Sequence, residues 1–158
     1  MPPSVTSTSI ATPLKLNLGC GGLLAEGFTG VDLVNMPGVD VVHDLDVLPW
    51  PFEDASCDEI IASDIFEHVN DPIGFMTECG RVLAKGGTLR LRTNSCKCEN
   101  AYTDPTHKRY CTEKTFDYFC PDTEFGQKYG AAYARGVAFR KMLVQLRGQE
   151  LVVILERL

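Results

Sequence analysis

The first half of this 158-residue chain is almost without positive charge: residues 1–80 hold Lys15 alone against thirteen acidic residues, whereas 81–158 hold fourteen basic and eight acidic ones. The net charge of -6 excludes a protein that coats nucleic acid, because non-specific affinity for phosphate backbones comes from an excess of Lys and Arg. No apolar run approaches the roughly 18 residues of a membrane span, and MPPSVTSTSIATP has neither the basic start nor the apolar stretch of a signal peptide. The chain therefore reads as soluble and cytoplasmic, with no membrane partner. Its seven cysteines, at 20, 57, 79, 96, 98, 111 and 120, are odd in number and follow no disulfide framework, so reduced thiols are expected. With 44% hydrophobic residues there is enough apolar material for one core. The Ser/Thr/Pro-rich residues 1–13 read as a disordered tail and 14–158 as a single domain.

Strand and helix signals alternate along that domain. Leu14, Leu16 and Leu18 lead into the turn Gly19-Cys20-Gly21-Gly22; further strands are expected over 28–33, 39–43 and 58–63. Asp71-Pro72 opens a helix whose apolar positions recur to Leu83, with Gly86-Gly87 as its stop. A fifth strand spans 88–93, residues 94–111 read as a long loop, Thr112 caps a short helix through Phe119, and 120–138 read as a second loop. Residues 139–146 and 151–155 form a terminal antiparallel hairpin. Such alternation predicts a mostly parallel sheet whose ligands collect at the C-terminal strand ends.

A glycine turn after the first strand, with Asp32 ending the second, suits a nucleoside whose ribose hydroxyls need a carboxylate acceptor. The dinucleotide pattern G-x-G-x-x-G fits poorly. Position 24 is Leu, and Asp32 comes thirteen residues after Gly19 where about twenty are expected. The crossover from Cys20 to Phe28 is also short, which predicts a truncated first helix.

LNLGCGG at 16–22, Asp32 in GVDL, HDLDVLPWPFEDASCDEI at 43–60, ASDIFEHV at 62–69, RVLAKGGTLRLRT at 81–93 and TDPTHKRYCT at 103–112 together resemble the class I S-adenosylmethionine-dependent methyltransferases, in particular small members with a compact first crossover. The resemblance covers residues 14 to 120, and the terminal hairpin is similar to the family's last two strands. It implies a Rossmann-like seven-stranded sheet of order 3-2-1-4-5-7-6 with helices on both faces. S-adenosylmethionine is the implied cofactor, and its sulfonium cation suits the acidic first half. Gly19, Cys20 and Gly21 would let the backbone approach the methionine moiety and ribose, Asp32 and Leu33 would meet the ribose, and Asp44 and Leu45 the adenine. Ser63 and Asp64 would lie beside the transferable methyl. The family often carries an acid where this chain has Asn17, which can still hydrogen-bond.

On the acceptor side the candidates for positioning or deprotonation are Glu67 and His68 after the fourth strand and His107 and Tyr110 in D-P-T-H-x-x-Y. His43 reads as a strand-end packing residue. Cys96, Cys98, His107, Cys111 and Cys120 raise the question of zinc, but C-x-C followed by H-x3-C is not a standard structural pattern, and no metal site is assigned. Lys97, Lys108, Arg109, Lys114, Lys128, Arg135 and Arg140 favour a small anionic or sugar-type acceptor. Nucleic acid is disfavoured, because Asp64-Ile65-Phe66-Glu67 lacks the prolines and aromatic that hold a flipped base. A homodimer, or the loops at 94–111 and 120–138, would have to exclude water from the pocket. Two other readings stay open: a non-catalytic S-adenosylmethionine-binding module and a nicotinamide-dependent oxidoreductase.

Overall fold

The computed structural model describes residues 13–23 and 25–158; the expected tail lies outside the described residues apart from Pro13. Seven strands run in the order β3-β2-β1-β4-β5-β7-β6. They are β1 (Leu14–Leu18), β2 (Thr29–Asp32), β3 (Val41–Val42), β4 (Cys57–Ser63), β5 (Leu83–Asn94), β6 (Phe139–Arg147) and β7 (Glu150–Arg157). The first five pair parallel, and β7 is antiparallel to both β5 and β6. This is the Rossmann-like order that the sequence led us to expect, closed by its antiparallel hairpin.

Strand alternation divides the sheet cleanly. Leu16, Leu18, Ile60, Ala62, Leu89, Leu91, Leu151, Val153 and Leu155 all point one way into a single core. Above them lies α1 (Pro72–Val82), which buries Phe75, Met76, Cys79 and Val82, each worth roughly 1.5–3 kcal/mol of transfer free energy. Asp71 caps it by accepting from the Gly74 N–H at 2.8 Å. The opposite sheet face carries charge instead. Lys15 and Arg90 both pair with Glu59, Arg92 lies 3.5 Å from Glu150, and Arg140 lies 3.4 Å from Glu156. Helices on both faces were expected, but α1 and α3 (Glu124–Tyr133) flank one shared cavity on the core side. The other side shows this ion-pair ladder, in which Arg90 and Arg140 are more than half exposed.

Four further boundaries differ from the sequence reading. Between β1 and β2 the described residues form turns closed by Leu23 N–H to Cys20 O and Phe28 N–H to Ala25 O, and no helical stub. The helix α1 does not run to Gly86-Gly87: Leu83 is already extended and pairs with Cys57, and the register shift before Thr88 lets 84–87 bulge. In place of the helix expected from Thr112 to Phe119, turns lead to a single 3-10 turn at Asp117–Phe119. The supposed loop at 120–138 contains α3. Its period is carried by Phe125, Tyr129 and Tyr133, all packed around Tyr118 at centroid distances of 5.2–5.8 Å. Gly126 is required there, because a Cβ would lie 1.8 Å from the Cys120 carbonyl oxygen. The segment 94–111 holds only a four-residue helix, α2 (Asn100–Thr103), and is closed by a Ser95–Cys111 bridge.

Candidate active site

A cavity of about 350 Å³ opens at the C-terminal ends of β1, β2 and β4, lined by Gly19, Asp32, Leu33, His43, Asp44, Leu45, Asp46, Ile65, His68, Val69, Asn70 and Lys108. The chain can make this turn because Gly19 adopts φ +63; a Cβ would also collide with Ile65 at 2.7 Å. Asp32 accepts from the N–H groups of Gly21 at 2.8 Å and Val34 at 3.1 Å, so its carboxylate is oriented while each oxygen keeps a free lone pair. Asp44 is set the same way by the Asp46 N–H at 2.9 Å. Asp46 in turn receives Asn70 through its backbone and its amide, both at 2.6 Å, which joins the segment after β3 to the one after β4. Carboxylates beside apolar Leu33, Leu45, Ile65 and Val69 fit a cationic nucleoside with a flat base. The residues present therefore suit the nucleoside-type cofactor that the sequence implied.

The floor of this cleft is held by α1. Glu78, 6% exposed, accepts from the Trp50 N–H at 2.7 Å and from Arg81 at 2.7 and 2.8 Å, and the Trp50 indole N–H donates to Leu45 O at 3.1 Å. Burial would raise the Glu78 carboxyl, but the Arg81 and Trp50 hydrogen bonds outweigh it and hold it below its ordinary range.

A second, polar cavity lies alongside, lined by Asp64, His68, Asn94, Asn100, Thr103, Asp104, Pro105 and His107. His68 lines both. The turn that carries it is clamped from 103–111: the Lys108 N–H donates to Glu67 O at 2.8 Å, and the Arg109 guanidinium donates to the carbonyls of Phe66 and Val69. Asp104 accepts from the Thr106 hydroxyl at 2.6 Å and backbone at 2.8 Å, bonds that hold its carboxyl below the ordinary range. Thr106 Oγ1 lies 3.0 Å from His68 Nδ1, and His107 Nδ1 lies 2.8 Å from Ala101 O.

Of the expected cofactor residues, Gly19, Asp32, Leu33, Asp44 and Leu45 meet in the first cavity, and Asp64 lies in the second, ion-paired with Arg92. Asn17, Cys20, Gly21 and Ser63 line neither. Asn17 donates to Leu23 O at 3.2 Å and Cys20 points inward toward Gly38, so both shape the turn from behind. Glu67 is buried beneath His68, and Tyr110 stacks on Tyr102 at 4.3 Å outside both cavities. Sequence reasoning missed Asp46 and Asn70 and read His43 as a packing residue; the Asp-x-Asp spacing at 44–46 was the available signal for one of them, and Lys108, expected on the acceptor side, lines the first cavity instead.

Among the basic residues expected to meet an anion, Lys108 alone lines either cavity; Lys97 faces Glu113, Arg135 faces Asp71 and Arg140 faces Glu156. The cysteines do not gather around His107 among the described residues. Burial pushes the thiols of Cys57 and Cys111 up to about 11 and that of Cys120 up to about 12, so they stay protonated at neutral pH.

Residues 16–91 match a family described as a methyltransferase domain. A ubiquinone biosynthesis O-methyltransferase of Dechloromonas aromatica is 32% identical over 111 residues, covering 54% of this chain and 46% of that protein. The chain thus spans about half the length of this curated relative. Among solved structures, a SAM-dependent methyltransferase from Thermotoga maritima superposes with a TM-score of 0.65 at 16% identity, over 94% of this chain and 83% of that one. An S-adenosylmethionine-dependent methyltransferase from Mesorhizobium loti gives 0.59 at 15% identity, over 91% and 90%. Among the described residues no helix is long and apolar enough to cross a membrane.

Proposed function

We propose that this chain, which belongs to the class I S-adenosylmethionine-dependent methyltransferases, methylates a hydroxyl oxygen of a small, sugar-type or otherwise hydroxylated acceptor. The observation that carries the reading is His68, whose side chain lines both the acidic nucleoside cleft and the polar cavity next to it. Donor and acceptor then meet at one wall. When bound, S-adenosylmethionine supplies a methyl group on a cationic sulfur.

The chain's own groups do the positioning. Asp32 offers lone pairs to ribose hydroxyls, Asp44 and Leu45 frame the adenine, and Gly19 leaves its backbone open to the approaching ligand. Methyl transfer requires the acceptor oxygen in line with the C–S bond, so alignment is the first demand on the second cavity. With the cofactor bound, the acceptor oxygen would take the methyl as the C–S electron pair returned to sulfur, and the hydroxyl proton would pass to water. On that cavity's wall Asp104 repels a carboxylate or phosphate, and it and the Arg92-paired Asp64 accept from hydroxyls, which favours the sugar-type alternative over the anionic one. The relative's name, an O-methyltransferase, supports oxygen as the acceptor atom.

The test is transfer of a labelled methyl group from S-adenosylmethionine to two acceptor panels, one of sugars and phenols and one of carboxylic and phosphoric acids. Label in the first panel is expected. Label confined to the acids would overturn the hydroxyl assignment, and cofactor binding without transfer to either panel would favour the non-catalytic binding module.

A further inference from the structure

Glu67 is the anomaly of the acceptor half. It is 1% exposed, and neither carboxylate oxygen has a hydrogen-bond partner among the described residues. A buried carboxylate left unpaired costs several kcal/mol, so such a group points to a cation that has yet to be supplied. Among the described residues no cation bonds it, although the charge of Arg109 acts on it from nearby. Arg109 spends its guanidinium on the carbonyls of Phe66 and Val69, and Lys108 bonds Asn70 at 2.6 Å.

Two imidazoles lie next to Glu67. One ligating atom each from Glu67, His68 and His107 falls within 4.8 Å of the others. The hydrogen bonds made by the two rings fix which nitrogen of each keeps a free lone pair. His107 Nδ1 lies 2.8 Å from Ala101 O, which can only accept, so Nδ1 carries the proton and Nε2 is left with its lone pair. Thr106 Oγ1 gives its one hydrogen to Asp104 at 2.6 Å and therefore accepts from His68 Nδ1 at 3.0 Å, which frees the His68 Nε2 as well. Both histidines are thus held by outer hydrogen bonds of the kind that orient metal ligands. Asp104, half-exposed, lies 3.9 Å from His107 Nε2 but is not within reach of all three residues of the cluster.

We propose that Glu67, His68 and His107 bind a divalent transition-metal ion, of which zinc is the representative, with one or more positions left open toward the second cavity. Two imidazoles and one carboxylate suit zinc and its first-row neighbours better than magnesium or calcium, which prefer oxygen ligands. Bonds of about 2.0–2.2 Å place tetrahedral ligand atoms roughly 3.4 Å apart, so the three side chains draw together by about an ångström on binding. The Arg109 and Lys108 contacts already hold the Glu67-His68 dipeptide against the segment that carries His107. The role of the ion rests on the methyl-transfer reading: at the boundary between the cavities it lowers the pKa of an acceptor hydroxyl, whose proton passes to water. Its binding does not rest on that reading.

The experiment is a titration of the metal-stripped full chain, without cofactor, with Co²⁺ followed by its visible absorption, and with Zn²⁺ followed by competition against a chromophoric chelator. One equivalent should bind, with Co²⁺ bands of a four- or five-coordinate N/O site, and Zn²⁺ should displace it. Glu67→Gln and His107→Ala should each weaken Zn²⁺ by about 100-fold, at least the upper end of what loss of an outer-shell partner does. Thermal unfolding of the two variants without metal checks that they fold, and Glu67→Gln removes an unpaired buried charge and should not be less stable. No Co²⁺ spectrum with wild type, or the same spectrum in folded Glu67→Gln and His107→Ala, would overturn the proposal. Calorimetry with S-adenosylmethionine on the same samples reports the methyltransferase reading separately, so either can fail alone.

Discussion

On the cofactor side of the cleft, Asp32 is oriented by Gly21, eleven residues away, and Asp44 by a residue two positions on; on the acceptor side, the turn carrying Glu67 and His68 is tied to Thr106, Lys108 and Arg109, about forty residues along. The acids of the first half are oriented by contacts within or just beyond one strand-turn unit, although Asn70 and Lys108 complete its wall from farther along the chain. The second exists only once the 103–111 segment has docked. This difference implies that the two halves can be damaged independently, and that cofactor binding should survive lesions that abolish transfer.

The largest separation is expected from Asp32→Ala. Loss of a charged acceptor for ribose hydroxyls, at about 1.5–3 kcal/mol per charge-assisted bond, should weaken S-adenosylmethionine by about 100-fold in calorimetric titration. Binding of Zn²⁺ should stay within about 2-fold of wild type, since additivity holds for distant sites. A parallel loss of both would contradict two separable halves.

Arg109→Lys should do the reverse. A single ammonium cannot bridge the Phe66 and Val69 carbonyls as the guanidinium fork does. A displacement of His68 by about an ångström is expected to lower kcat by ~30-fold, with a much smaller loss of cofactor affinity because His68 and Val69 also line the first cavity. Steady-state kinetics beside calorimetry separates the outcomes, and a fall in cofactor affinity of similar size would count against the assignment.

Glu78→Gln should loosen the cofactor half from below. Removing the charge that receives Arg81 and the Trp50 N–H is expected to cost about 1.5–2 kcal/mol of stability at neutral pH. The sign follows from the depressed Glu78 carboxyl: its contribution is present above the ordinary unfolded value near pH 4.3 and is lost as pH falls through the lower folded value. Urea unfolding at pH 7 and at pH 3 should therefore show the gap between wild type and variant closing in acid. A gap that widened in acid would refute the Arg81 and Trp50 hydrogen bonds as the cause. The smallest effect belongs to Tyr110→Phe, because the ring stacks on Tyr102 outside both cavities; kcat/KM should stay within about 2-fold.

Legibility in the sequence follows the same division. The glycine turn and the place of Asp32 at the cleft were readable because the turn-acid pattern lies within a short stretch, while the strand order and the place of Asp44 came from the family resemblance. The one-sided helical cover was not, since alternation along 59–63 and 88–92 shows only that one face is polar, not whether a helix lies over it. Helix α3 was hidden because its stripe is aromatic, with Phe125, Tyr129 and Tyr133 four apart amid Gly and Ala, which lowers intrinsic helix propensity. On the acceptor side Glu67, His68 and His107 were each visible as titratable residues. What no local pattern could show is that Glu67 would be buried without a partner, that both imidazoles would turn Nε2 away from their anchors, or that Tyr110 would stack elsewhere.

The measurement that tests the central claim most directly is calorimetric titration of the full chain with S-adenosylmethionine and with its demethylated product, on wild type and Asp32→Ala. The account predicts one site per chain in wild type for both ligands and its loss in the variant. No heat from wild type, or equal affinity in Asp32→Ala, would contradict it.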